Sequence, residues 1–165
     1  MRNKMIASIL LIVSASITAQ RGGSTISNSD LPEFKHYPAV TDFKDMPAKP
    51  LLVTPKEHVY RTQIREQASM GPNFAGHFTI AKWGCGSPCL AFVIVDSKSG
   101  KVYDPGFSVA CADENGIDAS IDFKLTSRLI IATGFSKKIG CGADFYEWDG
   151  KRLKLIHFEP WHSSQ

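Results

Sequence analysis

Residues 76–96 read GHFTIAKWGCGSPCLAFVIVD and place Cys85 and Cys89 four apart, in a kink of glycine and proline between two apolar runs. Cys111 and Cys141 complete the cysteine set. Three chemistries suit such a pair. The first is zinc: thiolates two to four residues apart are structural zinc ligands, and His77 or His157 would supply the nitrogen donors. A closed zinc site draws on a second closely spaced pair, and Cys111 and Cys141 stand alone. No metal or other cofactor is therefore expected.

The second chemistry is covalent. Cys85 or Cys89 would act as a thiolate nucleophile and His77 as its base, as in cysteine peptidases and transpeptidases of the cell envelope. His77 and Cys85 lie roughly 26 Å apart on an extended strand, at about 3.3 Å per residue. They meet only if the chain folds back, which leaves His157 as the alternative base. The flanking residues also lack the serine-histidine-glycine-cysteine pattern of those transpeptidases.

The third is a staple. Gly84, Gly86 and Pro88 let the backbone turn sharply, which brings cysteines four apart into the narrow Cα window of a disulfide. An even number of cysteines in an oxidising compartment reads as two disulfides. The preferred pairing joins Cys85 to Cys89 and leaves Cys111 for Cys141. A competing pairing joins the two Gly-Cys-Gly triplets, Cys85 with Cys141, where missing side chains would let two backbones approach. Either bridge stabilises by roughly 2–4 kcal/mol. The staple accounts for most of the local residues, so no catalytic residue is assigned.

The other polar candidates converge less. His77 heads a strand and reads as a hydrogen-bonded, half-buried histidine, and His162 lies in the tail. Asp96, Asp104, Asp113, Glu114 and Asp118 fit no calcium-loop spacing. Trp83, Tyr146 and Trp148 could form an exposed aromatic ridge for a partner, although aromatics at alternate strand positions usually face a core. Lys151, Arg152 and Lys154 form a small basic cluster, read as a solvated face.

These residues need a scaffold. TPKEHVYRTQIREQASMGP carries Thr54 as N-cap, Pro55 at the first helical position and Glu57 to close a capping box. Tyr60, Ile64 and Ala68 recur as the inner stripe of the helix, and Gly71-Pro72 ends it. After that the period becomes two. HFTIAKW alternates, and LAFVIVD is apolar on both faces, as a central strand covered on one side by the helix would be. DSKSG turns the chain into KVYDPG, IDFKL is followed by RLIIATGF, and Asp149-Gly150 joins FYEW to KRLKLIHF as a hairpin. The expected fold class is α+β: one N-terminal helix packed on a mainly antiparallel, disulfide-stapled sheet of six to seven strands.

MRNKMIASILLIVSASITAQ, at the N-terminus, combines Arg2 and Lys4 with an uncharged stretch from Met5 to Ala19, the pattern of a secretory signal peptide cleaved near residue 19. Residues 20–50 read as a loop-rich leader that Phe34, Tyr37 and Phe43 pin down, and residues 51–165 as a single α+β domain. Without residues 1–19 the chain holds 17 basic against 16 acidic residues, a balance that argues against nucleic acid as a partner. No membrane span is expected after signal cleavage.

The blocks GPNFAGHFTIAKWGCGSPC, VDSKSGKVY and YEWDGKRLKLI together resemble a family of small exported bacterial proteins of unknown function. The resemblance covers roughly Tyr60 to His157 and implies a shared fold and a periplasmic or secreted home. It carries no activity, substrate or catalytic residue. The resulting expectation is a non-enzymatic binding or inhibitory protein with a protein partner in the periplasm, such as a cell-wall hydrolase or a toxin. The rival is a cysteine-dependent cell-envelope enzyme acting through Cys85 or Cys89.

Overall fold

Thr54 starts the helical segment as its side chain demands. Its Oγ1 accepts the Glu57 N–H at 3.2 Å, and the Glu57 carboxylate accepts the N–H groups of Thr54 and Val53 in return. This reciprocal box satisfies donors that a bare helix end leaves orphaned. The segment is not the single helix that its spacing suggests. It runs as α1 (Pro55–Val59) and α2 (Arg61–Ser69), interrupted at Tyr60. The turn at Tyr60 accompanies its tertiary contact, for the ring stacks on Trp83 with centroids 4.5 Å apart. Beyond the break, Ile64 and Ala68 are buried against the sheet.

The computed structural model of the protein describes residues 31–111, 119–136 and 140–161. The expected signal segment, the leader up to residue 30, and Asp113, Glu114, Asp118 and His162 lie outside them. Among the described residues there are eight strands in two four-stranded antiparallel sheets, which corrects the expected single sheet of six to seven. In the first sheet β1 (Phe78–Gly86) pairs with β2 (Cys89–Asp96). The far side of β2 pairs with β3 (Val102–Tyr103) along one stretch and with β4 (Ser108–Ala110) along another. The second sheet runs in order β5 (Ser120–Phe123), β6 (Leu129–Ser136), β7 (Gly140–Trp148) and β8 (Leu153–Pro160). Strand β4 escapes a periodicity reading because three residues give no period to measure.

The alternation of side chains sorts the core into two layers. Phe78, Ile80, Phe92 and Ile94 of the first sheet face Ile121, Ile130, Ala132 and Trp148 of the second. Ala81, Trp83, Ala91, Val93 and Val95 point the other way, under α2. Both faces of β2 are thus covered, and that is why it has no polar alternation. On one side the sandwich is closed where β4 crosses β6. A Cβ on Gly134 would stand 3.1 Å from Val109 Cβ and 3.2 Å from the Ala110 nitrogen, so the strands meet where a side chain is missing.

Residues Leu31–Gln165 form one compact unit. The stretch from Phe34 onward is tied down by its backbone: Ser127 Oγ donates to the Phe34 and Tyr37 carbonyls, Arg128 N–H donates to Tyr37, and Ala39 N–H donates to Thr126. Ala48 and Leu51 are held likewise by Ser97 and Gly100. The AGH turn grips the same stretch. Gly76, at φ 84°, lies so close beneath the Val40 carbonyl that a Cβ there would collide with it.

Candidate functional site: an aromatic cleft between the sheets

Both bridges of the preferred pairing are present. Cys85–Cys89 clamps the β1–β2 hairpin with Cα atoms 5.1 Å apart. Cys111–Cys141 joins the end of β4 to β7 with Cα atoms 6.1 Å apart. All four sulfurs are consumed in these bonds, and a disulfide sulfur carries no proton to lose and no lone thiolate to offer a metal. Among the described residues no group of three or more His, Cys, Asp or Glu side chains is placed to hold a metal ion.

The histidines do not come to the cysteines. His77 lies just before β1, beside Asp96, while Cys85 is near the other end of the same strand. His157 belongs to the second sheet, where its ring meets Phe145 edge-on and Nε2 lies 3.3 Å from Glu159. His77 is held below the ordinary histidine range, chiefly because burial disfavours the cation and next because Lys98 repels it. Asp96 and Asp42 pull the other way. The 3.7 Å approach to Asp96 therefore does not make a neutral-pH ion pair, because two carboxylates at the edge of solvent do not offset the desolvation.

The GPN turn is occupied by structure as well. The Asn73 side chain accepts the Ile80 N–H at 2.8 Å and donates to the Ile80 carbonyl, while Thr79 Oγ1 donates to Gly71. These residues pin the entry to β1, which accounts for their polar character without a ligand.

What remains is a cleft lined by residues of both sheets. Tyr103 of β3 and Phe107, just before β4, border a cavity of about 290 Å³ together with Tyr146, Trp148, Leu153 and Leu155 of the second sheet. The aromatics brace one another. Phe107 stacks on Tyr146 with centroids 5.1 Å apart, and Trp148 meets Tyr103 edge-on at 5.3 Å. Trp148 is 2% exposed and its buried indole N–H has no hydrogen-bond acceptor. Tyr146 donates to Asp144 Oδ2 at 3.1 Å, and burial together with that carboxylate pushes its phenol far above the usual range, so it stays protonated. Lys151 and Arg152 stand at the mouth, positioned by the hairpin turn. The Asp149 carboxylate accepts both of their backbone N–H groups, at 2.8 and 2.9 Å.

Binding sites are concave, mainly apolar and furnished with a few convergent polar groups, and this cleft meets that description. A larger depression, about 610 Å³, does not, because it is a crevice of Pro47, Ala48, Lys49 and Pro50 against Arg65 and Ser69 without facing aromatics. A second hollow of about 500 Å³ holds His77 and Lys98 and opens to solvent under the leader strap. The sequence points to half of the cleft: Tyr146 and Trp148 alternate on β7, and Leu153 and Leu155 follow the Asp149-Gly150 turn. They form no exposed ridge with Trp83, which is buried under Tyr60 on the opposite face of the first sheet. Tyr103 and Phe107 are the residues that sequence reasoning missed.

Compared with known protein families, with curated proteins and with solved structures, the chain matches none.

Proposed function

We propose that this protein is an exported, non-enzymatic binding protein of the periplasm or extracellular space, which takes a side chain of a partner protein into the inter-sheet cleft and can thereby block that partner. The observation that carries the reading is the cleft itself: four aromatic rings bordering a cavity the size of one large side chain. Aromatic pockets of this kind are where interface energy concentrates. The two disulfides suit an oxidising compartment, and among the described residues no helix is long and apolar enough to cross a membrane. The resemblance to small exported bacterial proteins supports the same home.

A cysteine-dependent enzyme would need the Cys85–Cys89 bond opened first. Thiol titration of the protein purified from the exported fraction, denatured without reductant, separates the two. The binding reading expects no free thiol, together with a stoichiometric protein partner recovered from the same fraction. One reactive thiol of depressed pKa, with no partner recovered, would replace it with the enzyme.

A further inference from the structure

We infer that the cleft and the adjoining edge of β8 form one recognition surface for an extended, acidic segment of a partner protein, which pairs with β8 and seats an aromatic side chain between the sheets. This deepens the proposed function and rests on it. Three observations meet here. Among the described residues β8 pairs with β7 alone, so one row of its backbone N–H and C=O groups is directed away from the sheet. An unpaired edge is a template for a further strand, with main-chain bonds giving affinity and pockets for alternate side chains giving specificity.

The pleat then sets where such a strand places its side chains. Leu153 and Leu155 line the cleft, and Leu155 is 43% exposed at its mouth. A strand added outside β8 points alternate residues to the same face, so a residue opposite Leu155 reaches the cavity. About 290 Å³ is room for one ring, which would rest against the contacting rings of Phe107 and Tyr146 and beside Trp148.

Charge selects the third feature. Lys151, Arg152 and Lys154 are exposed along this edge, and of the three only Arg152 makes a described ion pair, with Asp149 at 3.3 Å. Lys154 on the edge strand, with Lys151 and Arg152 in the turn leading into it, disfavours pairing with a second copy that brings the same cations and favours a segment carrying Asp or Glu. Ile156 of β8 is the extra residue of a bulge opposite Phe145 and Tyr146, which limits regular pairing to the Leu153–Leu155 end, beside the cleft. A free aromatic acid would satisfy the cavity and the cations but leave the β8 edge unused, and so the edge favours a peptide.

A random dodecapeptide phage library selected on the intact exported protein, and counter-selected on Lys151→Glu/Lys154→Glu, tests this. Both positions are exposed, and matching thermal melts would establish that the variant is folded. The expected winners carry an aromatic residue with Asp or Glu on both sides and no proline. The synthetic winner should bind the wild type at least tenfold more tightly than the double variant, lose at least tenfold on N-methylation of alternate residues, and shift the Trp148 indole and Leu153–Leu155 amide resonances. No enrichment, winners without acids or aromatics, equal binding to the double variant, or binding by N-acetylphenylalanine as tight as by the peptide would each overturn the inference. A natural partner captured equally well by the double variant would leave the binding function standing and refute only this surface. A free reactive thiol with no partner would remove the function beneath it.

Discussion

His77 shows at the residue scale how a histidine that looks like a ligand or a base is spent on structure. Its backbone carbonyl accepts the Ser97 N–H, its ring lies 4.2 Å from that of Phe78, and Asp42, Asp96 and Lys98 are the charged groups around it. Because burial and Lys98 lower its pKa below 6.5, the unfolded chain binds the proton more readily than the folded one. The stability contributed by neutral His77 is therefore complete above about pH 6.5, the unfolded value, and declines as the pH falls below it toward the folded pKa. Urea midpoints of the wild type should drop between pH 6.5 and 5 more steeply than those of His77→Gln. Parallel slopes for the two proteins would show that His77 has no part in the acid sensitivity.

Among the elements, the helical segment draws little stability from its own sequence and most from what it covers. Segments of five and nine residues are too short to persist alone in water. The cap contributes locally, and Thr54→Ala should cost about 1 kcal/mol. Ile64 is fully buried on β1 and β2, so Ile64→Ala should cost about 2–5 kcal/mol, because the rigid sheet beneath cannot collapse into the space. Denaturant titrations of the two variants would contradict this ordering if the cap proved the costlier loss. The same contrast explains what was legible in the sequence. Thr54, Pro55, Glu57 and the Tyr60-Ile64-Ala68 stripe act within one or two turns, and the two-sided apolarity of β2 announces cover on both faces. The Cys85–Cys89 staple is equally local. The break at Tyr60 is not readable, because it comes with a stacking contact to the Trp83 ring, over 20 residues downstream. Nor was the division into two sheets, since whether β4 pairs with β2 or continues another sheet depends on contacts that no local period records. The cleft lay hidden for that reason: Tyr103 and Phe107 meet Tyr146, Trp148 and Leu155 only once the sheets have packed.

For the whole molecule the two disulfides differ in what they constrain, although the residues are chemically alike. Cys85–Cys89 spans 4 residues within a hairpin that β1 and β2 already hold in register. Cys111–Cys141 spans 30 residues and ties the first sheet to the second beside the Gly134 crossing. Loop-closure entropy in the unfolded chain gives about 2 kcal/mol for the short loop and about 3.6 kcal/mol for the long one. Serine at both Cys111 and Cys141 should therefore destabilise by about 1.6 kcal/mol more than serine at both Cys85 and Cys89, in urea titrations under non-reducing conditions. The location of the damage should differ too. Without the long bridge, amide exchange should quicken first in β4, a three-residue strand held otherwise by β2 and by its approach to β6. The β1–β2 ladder should keep its protection, because seven residue pairs from Phe78↔Asp96 to Gly84↔Leu90 hold it besides the staple at its tip. An equal or larger loss from the hairpin pair would mean that the kink at Gly84–Pro88 shapes more of the fold than the hairpin it closes. The sandwich would then depend on a local turn rather than on the covalent tie between its sheets.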